Sequence, residues 1–202
     1  MTAIKINDIS YQFQNWAELG QDIFELAKKI IESGEQFDRV IALAKGGLTF
    51  SRSLVDYLNI EDVSSLHIEF YNSINSTNTM PVITQSIPVS LKNEKVLLFD
   101  DLVDSGRTME TALEYLKHRG VASVKTAAFF YKPKTSITPD FFVREVSAWI
   151  VFPNELRETT LELANMWSAK GMDTDKIQIH LNEIGLPQEQ TQFYLSQWSK
   201  HD

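Results

Sequence analysis

Three stretches of this chain are apolar with almost no polar alternation: residues 39–44 (Arg-Val-Ile-Ala-Leu-Ala), 96–99 (Val-Leu-Leu-Phe) and 124–131 (Val-Lys-Thr-Ala-Ala-Phe-Phe-Tyr). A segment that is apolar on both side-chain parities suits a strand covered on both faces, as in a parallel sheet. The first two are each followed by a short loop and then by apolar residues at helical spacing. After 39–44 these are Phe50, Leu54, Val55 and Leu58; after 96–99 they are Met109, Ala112, Leu113 and Leu116. Lys117, His118 and Arg119 suit the negative end of the second helix, and Gly120 can close it. Strand, loop and helix in succession predict an α/β fold with a doubly wound, mostly parallel sheet and flanking helices.

Further elements extend this frame. Ile4, Ile6 and Ile9 suggest a short N-terminal strand or extended arm. Asn15 and Glu18 have capping-box spacing, and Trp16, Leu19, Ile23, Leu26 and Ile30 form a stripe that ends at Gly34. On that stripe Trp16 is expected in the core. Residues 64–70 read as a strand, and 71–80 as a polar, turn-forming run that ends before Pro81. Near residue 149 another strand brings Trp149 and Ile150 to Pro153. Beyond it, Leu156, Leu163 and Trp167 mark one helix up to Gly171. Asp173 or Thr174 can cap a second with Ile177, Leu181 and Ile184, and a third carries Tyr194, Leu195 and Trp198.

Composition narrows the class. At 202 residues the chain suits one domain with a small appendage: 1–155 as the main domain and 156–202 as a C-terminal helical extension packed on it or on a partner subunit. There is no cysteine, hence no disulfide framework or thiolate nucleophile, and the four histidines show no metal-ligand spacing. No apolar run approaches a membrane span and the N-terminus does not resemble a signal peptide, so the expected location is the cytoplasm, without membrane partners. A net charge of -8 argues against a general nucleic-acid binder but not against a small phosphate ligand held locally.

The chemistry concentrates after the 96–99 strand. Asp100 and Asp101 stand at its expected carboxyl end, where open α/β sheets bind ligands. Asp104, Ser105, Gly106, Arg107 and Thr108 then lead into a helix whose first amides can cradle a phosphate. The loop has neither the lysine of a P-loop nor the spaced glycines of a dinucleotide fingerprint. Carboxylates beside an anion cradle need other partners, and ribose hydroxyls and hydrated Mg²⁺ suit them. Lys45, Gly46 and Gly47 make a second turn of this kind, one unit upstream, able to offer amides and an ammonium to another anion. Lys132, at the end of the 124–131 strand, can donate to an exocyclic oxygen, and Trp149 can stack on a flat base.

The stretch 96–108 resembles the phosphoribosyl-pyrophosphate (PRPP) motif of type I phosphoribosyltransferases. Lys45-Gly46-Gly47, Lys132-Pro133 and Trp149-Ile150 resemble the pyrophosphate loop and base pocket of the purine members, the hypoxanthine and xanthine-guanine enzymes among them. The resemblance covers roughly residues 37–155. It implies that Asp100 and Asp101 meet the ribose hydroxyls and Mg²⁺, and that 104–108 hold the 5′-phosphate. It likewise assigns pyrophosphate to Lys45 and Gly46, the base to Lys132, Trp149 and the Ile150 backbone, and a mobile lid to the polar run 71–80. The implied activity is transfer of 5-phosphoribosyl from PRPP to a 6-oxopurine in purine salvage, with Asp104 assisting removal of the base proton and Mg²⁺ as cofactor. A homodimer or homotetramer is implied too. Two alternatives stand beside it: a phosphoribosyltransferase for another nucleobase, and a PRPP-sensing regulator built on the same fold.

Overall fold

The computed structural model describes residues 3–72 and 79–198. The chain divides into two compact units, one of residues 20–146 and one of residues 1–19 with 147–202.

The unit of residues 20–146 is built on a six-stranded sheet. Its strands are β3 (Arg39–Ala44), β4 (Asp62–Asn72), β5 (Thr79–Gln85), β6 (Lys95–Val103), β7 (Ser123–Tyr131) and β8 (Phe141–Glu145), ordered β5-β4-β3-β6-β7-β8. All neighbours are parallel except β4 and β5. The two-sided apolar pattern follows from coverage on both faces. Ile41, Leu43, Val96 and Leu98 share a core with Met109, Ala112 and Leu116 of α3 (Arg107–His118). Alternate residues supply an aromatic cluster, in which Phe129 meets Phe99 at 5.4 Å and Phe50 of α2 (Gly46–Leu58) at 5.1 Å. Helix α1 (Trp16–Glu32) starts with the expected capping box, Asn15 and Glu18 bonding each other's backbone at 3.0 and 3.1 Å. From α1, Asp22 accepts two hydrogen bonds from Arg144 of β8 at 2.7 and 3.2 Å.

The smaller unit holds β1 (Ile4–Ile6), β2 (Ile9–Phe13) and β9 (Trp149–Val151) in a second sheet, with helices α4 (Leu156–Ser168), α5 (Thr174–Ile184) and α6 (Gln188–Trp198). Its core joins Tyr11, Phe13 and Val151 of the sheet to Leu163, Trp167, Leu181 and Leu195 of the helices. Asp173 caps α5, its carboxylate accepting from the Lys176 amide at 2.9 Å.

Several expectations are corrected. Trp16 is 57% exposed and not in the core, because it opens α1, one turn ahead of the buried stripe that begins at Leu19. The 96–99 strand does not stop at the acidic pair. Strand β6 runs on to Val103, with Asp100, Leu102 and Val103 paired to Ala128, Phe130 and Tyr131. Strands β5 and β8 carry no clear sequence signal. Both lie at sheet edges, where one side lacks a partner and the burial pattern is weak. Pro81 is accommodated in β5 because an edge strand can spare its amide. Of the expected lid, residues 71 and 72 belong to β4 and 79 and 80 to β5, whereas 73–78 lie outside the described residues. No described helix is long and apolar enough to cross a membrane.

Candidate active site

The arrangement begins with two glycines. Strand β3 ends at Ala44, the exposed Lys45 N-caps α2 without a side-chain cap, and Gly46 and Gly47 start the helix. A Cβ on Gly47 would stand 2.6 Å from the Phe99 carbonyl oxygen and 3.0 Å from Asp100 Cα; one on Gly46 would fall on the Asp101 carboxylate. The start of α2 thus lies directly against the acidic pair of β6, a distance only glycine permits. The two motifs, more than fifty residues apart in the chain, form one site.

Packing there takes the carboxylates out of water. Asp101 is 7% exposed, its Oδ1 accepts from the Leu102 amide at 2.8 Å, and burial pushes its carboxyl up to about 6. Asp100 is raised well above the ordinary range, by desolvation first and then by the neighbouring Asp101 charge. The Asp101 amide donates to Asp100 Oδ1 at 3.0 Å and the Gly47 amide also pulls the other way, without outweighing burial. Two adjacent carboxylates, Asp101 buried and Asp100 partly so, both held above the ordinary range, are poised to take a cation or hydroxyl donors.

Next to them is the phosphate loop. Gly106 lies at φ +88, in the left-handed region, and N-caps α3 with no side-chain cap of its own, while the Arg107 amide donates to Ser105 Oγ at 3.4 Å; the positive end of the helix opens on this loop. Asp100, Asp104, Ser105, Gly106 and Thr108 line an open cavity of about 90 Å³ together with Leu102, Val103 and Met109. The Arg107 guanidinium stacks over Phe70 of β4 at 4.9 Å, tying the loop to a strand on the far side of β3. Lys132 follows β7, and its amide donates to the Val103 carbonyl at 2.9 Å. Burial lowers the Lys132 pKa and the Asp104 charge partly restores it, so the two side chains sense each other. The structure thus gathers Gly46, Asp100, Asp101, residues 104–108 and Lys132 within one unit. Trp149 and Ile150 lie on β9 of the smaller unit, where Trp149 packs on Tyr11 at 5.9 Å and Ile150 is buried.

Two contributions have no local sequence signal. Gly47 reads as a flexible turn residue until its contact with Phe99 and Asp100 is seen. Thr135, Ser136 and Ile137, in a polar turn after β7, pack directly on Gly106.

Residues 11–159 match the family model described as the phosphoribosyl transferase domain. The chain belongs to this phosphoribosyltransferase family. It is 29% identical over 143 residues to a xanthine-guanine phosphoribosyltransferase of Idiomarina loihiensis, covering 70% of this chain and 84% of that protein. A xanthine-guanine phosphoribosyltransferase of Nitratidesulfovibrio vulgaris is 31% identical over 140 residues, 68% of this chain and 80% of that one. Among solved structures, a purine phosphoribosyltransferase from Pyrococcus horikoshii superposes with a TM-score of 0.64 at 34% identity, covering 71% of this chain and 92% of that one. A hypothetical protein from Neisseria gonorrhoeae with bound ppGpp gives 0.65 at 26%, covering 72% and 89%. The fold is therefore that of the type I phosphoribosyltransferases. In this phosphoribosyltransferase the family match includes every strand of the six-stranded sheet and leaves α5 and α6 outside.

Proposed function

We propose that this phosphoribosyltransferase transfers the 5-phosphoribosyl group of PRPP to a 6-oxopurine (hypoxanthine, guanine or xanthine), releasing pyrophosphate. The observation that carries the reading is the contact of the Lys45–Gly47 turn with the acidic pair, beside the start of α3. The reaction requires this combination, because PRPP presents a pyrophosphate, a ribose diol and a 5′-phosphate within one small molecule. The purine relatives support a purine acceptor.

Asp100 and Asp101 fit Mg²⁺. They are adjacent, Asp101 is buried and Asp100 partly so, and carboxylate oxygens suit a hard cation completed by water and substrate oxygens. Bound there, the ion would supply positive charge to the pyrophosphate side of the substrate. The chain's own residues do the rest. Amides of Gly106 to Thr108 anchor the 5′-phosphate, so that binding energy remote from C1′ orients it. Asp100 and Asp101 hold the ribose hydroxyls. Lys45 and the Gly46 amide meet the pyrophosphate as the C1′–O bond breaks and negative charge develops there. N9 of the base bonds to C1′, and the proton lost from the base's imidazole nitrogen passes to Asp104. Lys132 donates to the base's O6, while Trp149 and the Ile150 backbone complete base recognition. The working form is a cytoplasmic homodimer or homotetramer, which light scattering tests.

The test is pyrophosphate release from PRPP and Mg²⁺ with hypoxanthine, guanine, xanthine and adenine offered separately, with Asp104→Asn as control. Turnover with an oxopurine that falls by about 10²-fold or more in the control supports the reading. PRPP binding without turnover on any base would move the weight to a PRPP-sensing regulator. A second ligand follows from the ppGpp-bound neighbour: a guanosine bearing two pyrophosphate groups asks for two anion cradles beside a purine pocket. ppGpp should therefore inhibit competitively with PRPP.

A further inference from the structure

The turn after β7 is bonded to the phosphate loop at successive points. The Lys132 amide donates to the Val103 carbonyl at 2.9 Å. The Ser105 carbonyl accepts twice from one residue, the Ser136 amide at 3.0 Å and the Ser136 hydroxyl at 3.1 Å. Against Gly106, a Cβ would meet the Ser136 hydroxyl, Thr135 Oγ1 at 2.8 Å and Ile137 Cγ2 at 3.0 Å, so the turn lies flush on the loop. Ile137 packs on the core that includes Val103 and Met109, which anchors the turn from below. Within the turn, the Thr135 amide donates to the Lys132 carbonyl at 3.1 Å, closing it into a rigid strap.

A peptide group points its C=O and N–H in opposite directions when it is trans, as the Ser105–Gly106 bond is. Fixing the Ser105 oxygen on Ser136 therefore fixes the Gly106 N–H on the side away from the strap. Gly106 is the N-cap residue of α3, where an amide helps form an anion cradle. Without the tether, a peptide flanked by a left-handed glycine has little to stop it rotating.

We propose that Ser136 is a positioning residue for PRPP: its hydroxyl, bonded to the Ser105 carbonyl beside its own main-chain amide, holds the Ser105–Gly106 peptide so that the Gly106 amide faces the 5′-phosphate, and Ser136→Ala removes the hydroxyl bond while leaving the main-chain one. It acts through the loop and does not touch the reacting atoms. Because the turn that carries Ser136 also carries Lys132, the strap joins the phosphate end of the site to the residue assigned to the base. The identity of the ligand rests on the phosphoribosyl-transfer reading; the tether itself does not.

The experiment compares the wild-type chain with Ser136→Ala and Ser136→Thr. Calorimetric titration with PRPP and Mg²⁺, and separately with ribose 5-phosphate, should show about two- to tenfold weaker binding in the Ala variant, the effect of one neutral hydrogen bond. KM for PRPP should rise by the same factor with kcat and the KM for the base nearly unchanged, and Thr should restore both. In the free chain the Gly106 amide resonance should shift in the Ala variant and return in Thr. Unchanged PRPP and ribose 5-phosphate affinity in Ser136→Ala, with at most a lowered melting temperature, would overturn the proposal and leave the reaction assignment standing. A wild-type chain that binds neither ligand would overturn the reaction assignment and the proposal with it.

Discussion

Replacing Asp101 by Asn should make the free protein more stable at pH 8 and leave it nearly unchanged at about pH 3. Burial raises the Asp101 carboxyl from 3.8 to about 6, so the folded state holds a proton that the unfolded chain has already released. At about pH 3, below the unfolded value of 3.8, both states are largely protonated and the shift has little effect. As pH rises through 4 to 6 the stabilising difference is lost, and above about pH 7 the folded protein carries the full penalty of an ionised buried carboxylate. A shift of about two units is worth about 3 kcal/mol, a large fraction of the ~5–15 kcal/mol of a typical domain. Asn keeps an oxygen for the Leu102 amide while removing the charge; the side-chain hydrogen bond with Asp100 is altered as well. It also relieves Asp100, whose carboxyl the Asp101 charge pushes up, which acts in the same direction. All four tryptophans, Trp16, Trp149, Trp167 and Trp198, lie in the unit of residues 1–19 and 147–202, so their fluorescence is a poor reporter of Asp101. Amide hydrogen exchange of β6, in magnesium-free buffer, reads the right unit. At pH 8 the Asn variant should exchange about a hundredfold more slowly than wild type, the factor that ~3 kcal/mol represents. An Asn variant that exchanges as fast as wild type at pH 8, or faster, would refute the burial argument.

Three other perturbations follow from the packing. Gly46→Ala drives a Cβ into the Asp101 carboxylate, and the required shift should cost about 1–3 kcal/mol by denaturant titration and cut phosphoribosyl transfer at least tenfold. Asp22→Asn weakens the paired contact with Arg144, whose guanidinium stacks on Phe130 at 4.4 Å; with Asp22 6% exposed, a loss of about 1–3 kcal/mol is expected, and a melting temperature equal to wild type would count against the pair. Trp167→Ala empties the centre of the smaller unit's core, where Trp167 is fully buried. It should cost about 3–5 kcal/mol, visible in the near-ultraviolet dichroism of the remaining tryptophans.

What the amino-acid sequence determines by itself is what local rules govern. Continuous apolar runs mark β3, β6 and β7 because both faces of those strands are covered, and the capping box at Asn15 and Glu18 starts α1 through bonds that span only three residues. The phosphate loop is legible for the same reason: Asp104 to Thr108 are contiguous, and a helix start binds anions wherever it stands. Tertiary structure decides what depends on neighbours distant in the chain. The edge strands β5 and β8 are strands because β4 and β7 offer them partners, and their own patterns are too mixed to say so. Trp16 has the spacing of a core residue, but the place where α1 begins puts it in solvent. The pKa of Asp101, the need for glycine at positions 46 and 47, and the hold of Ser136 on the phosphate loop all arise from contacts between segments far apart in sequence. Burial and close approach are properties of what packs around a residue, and no pattern within its own segment encodes them.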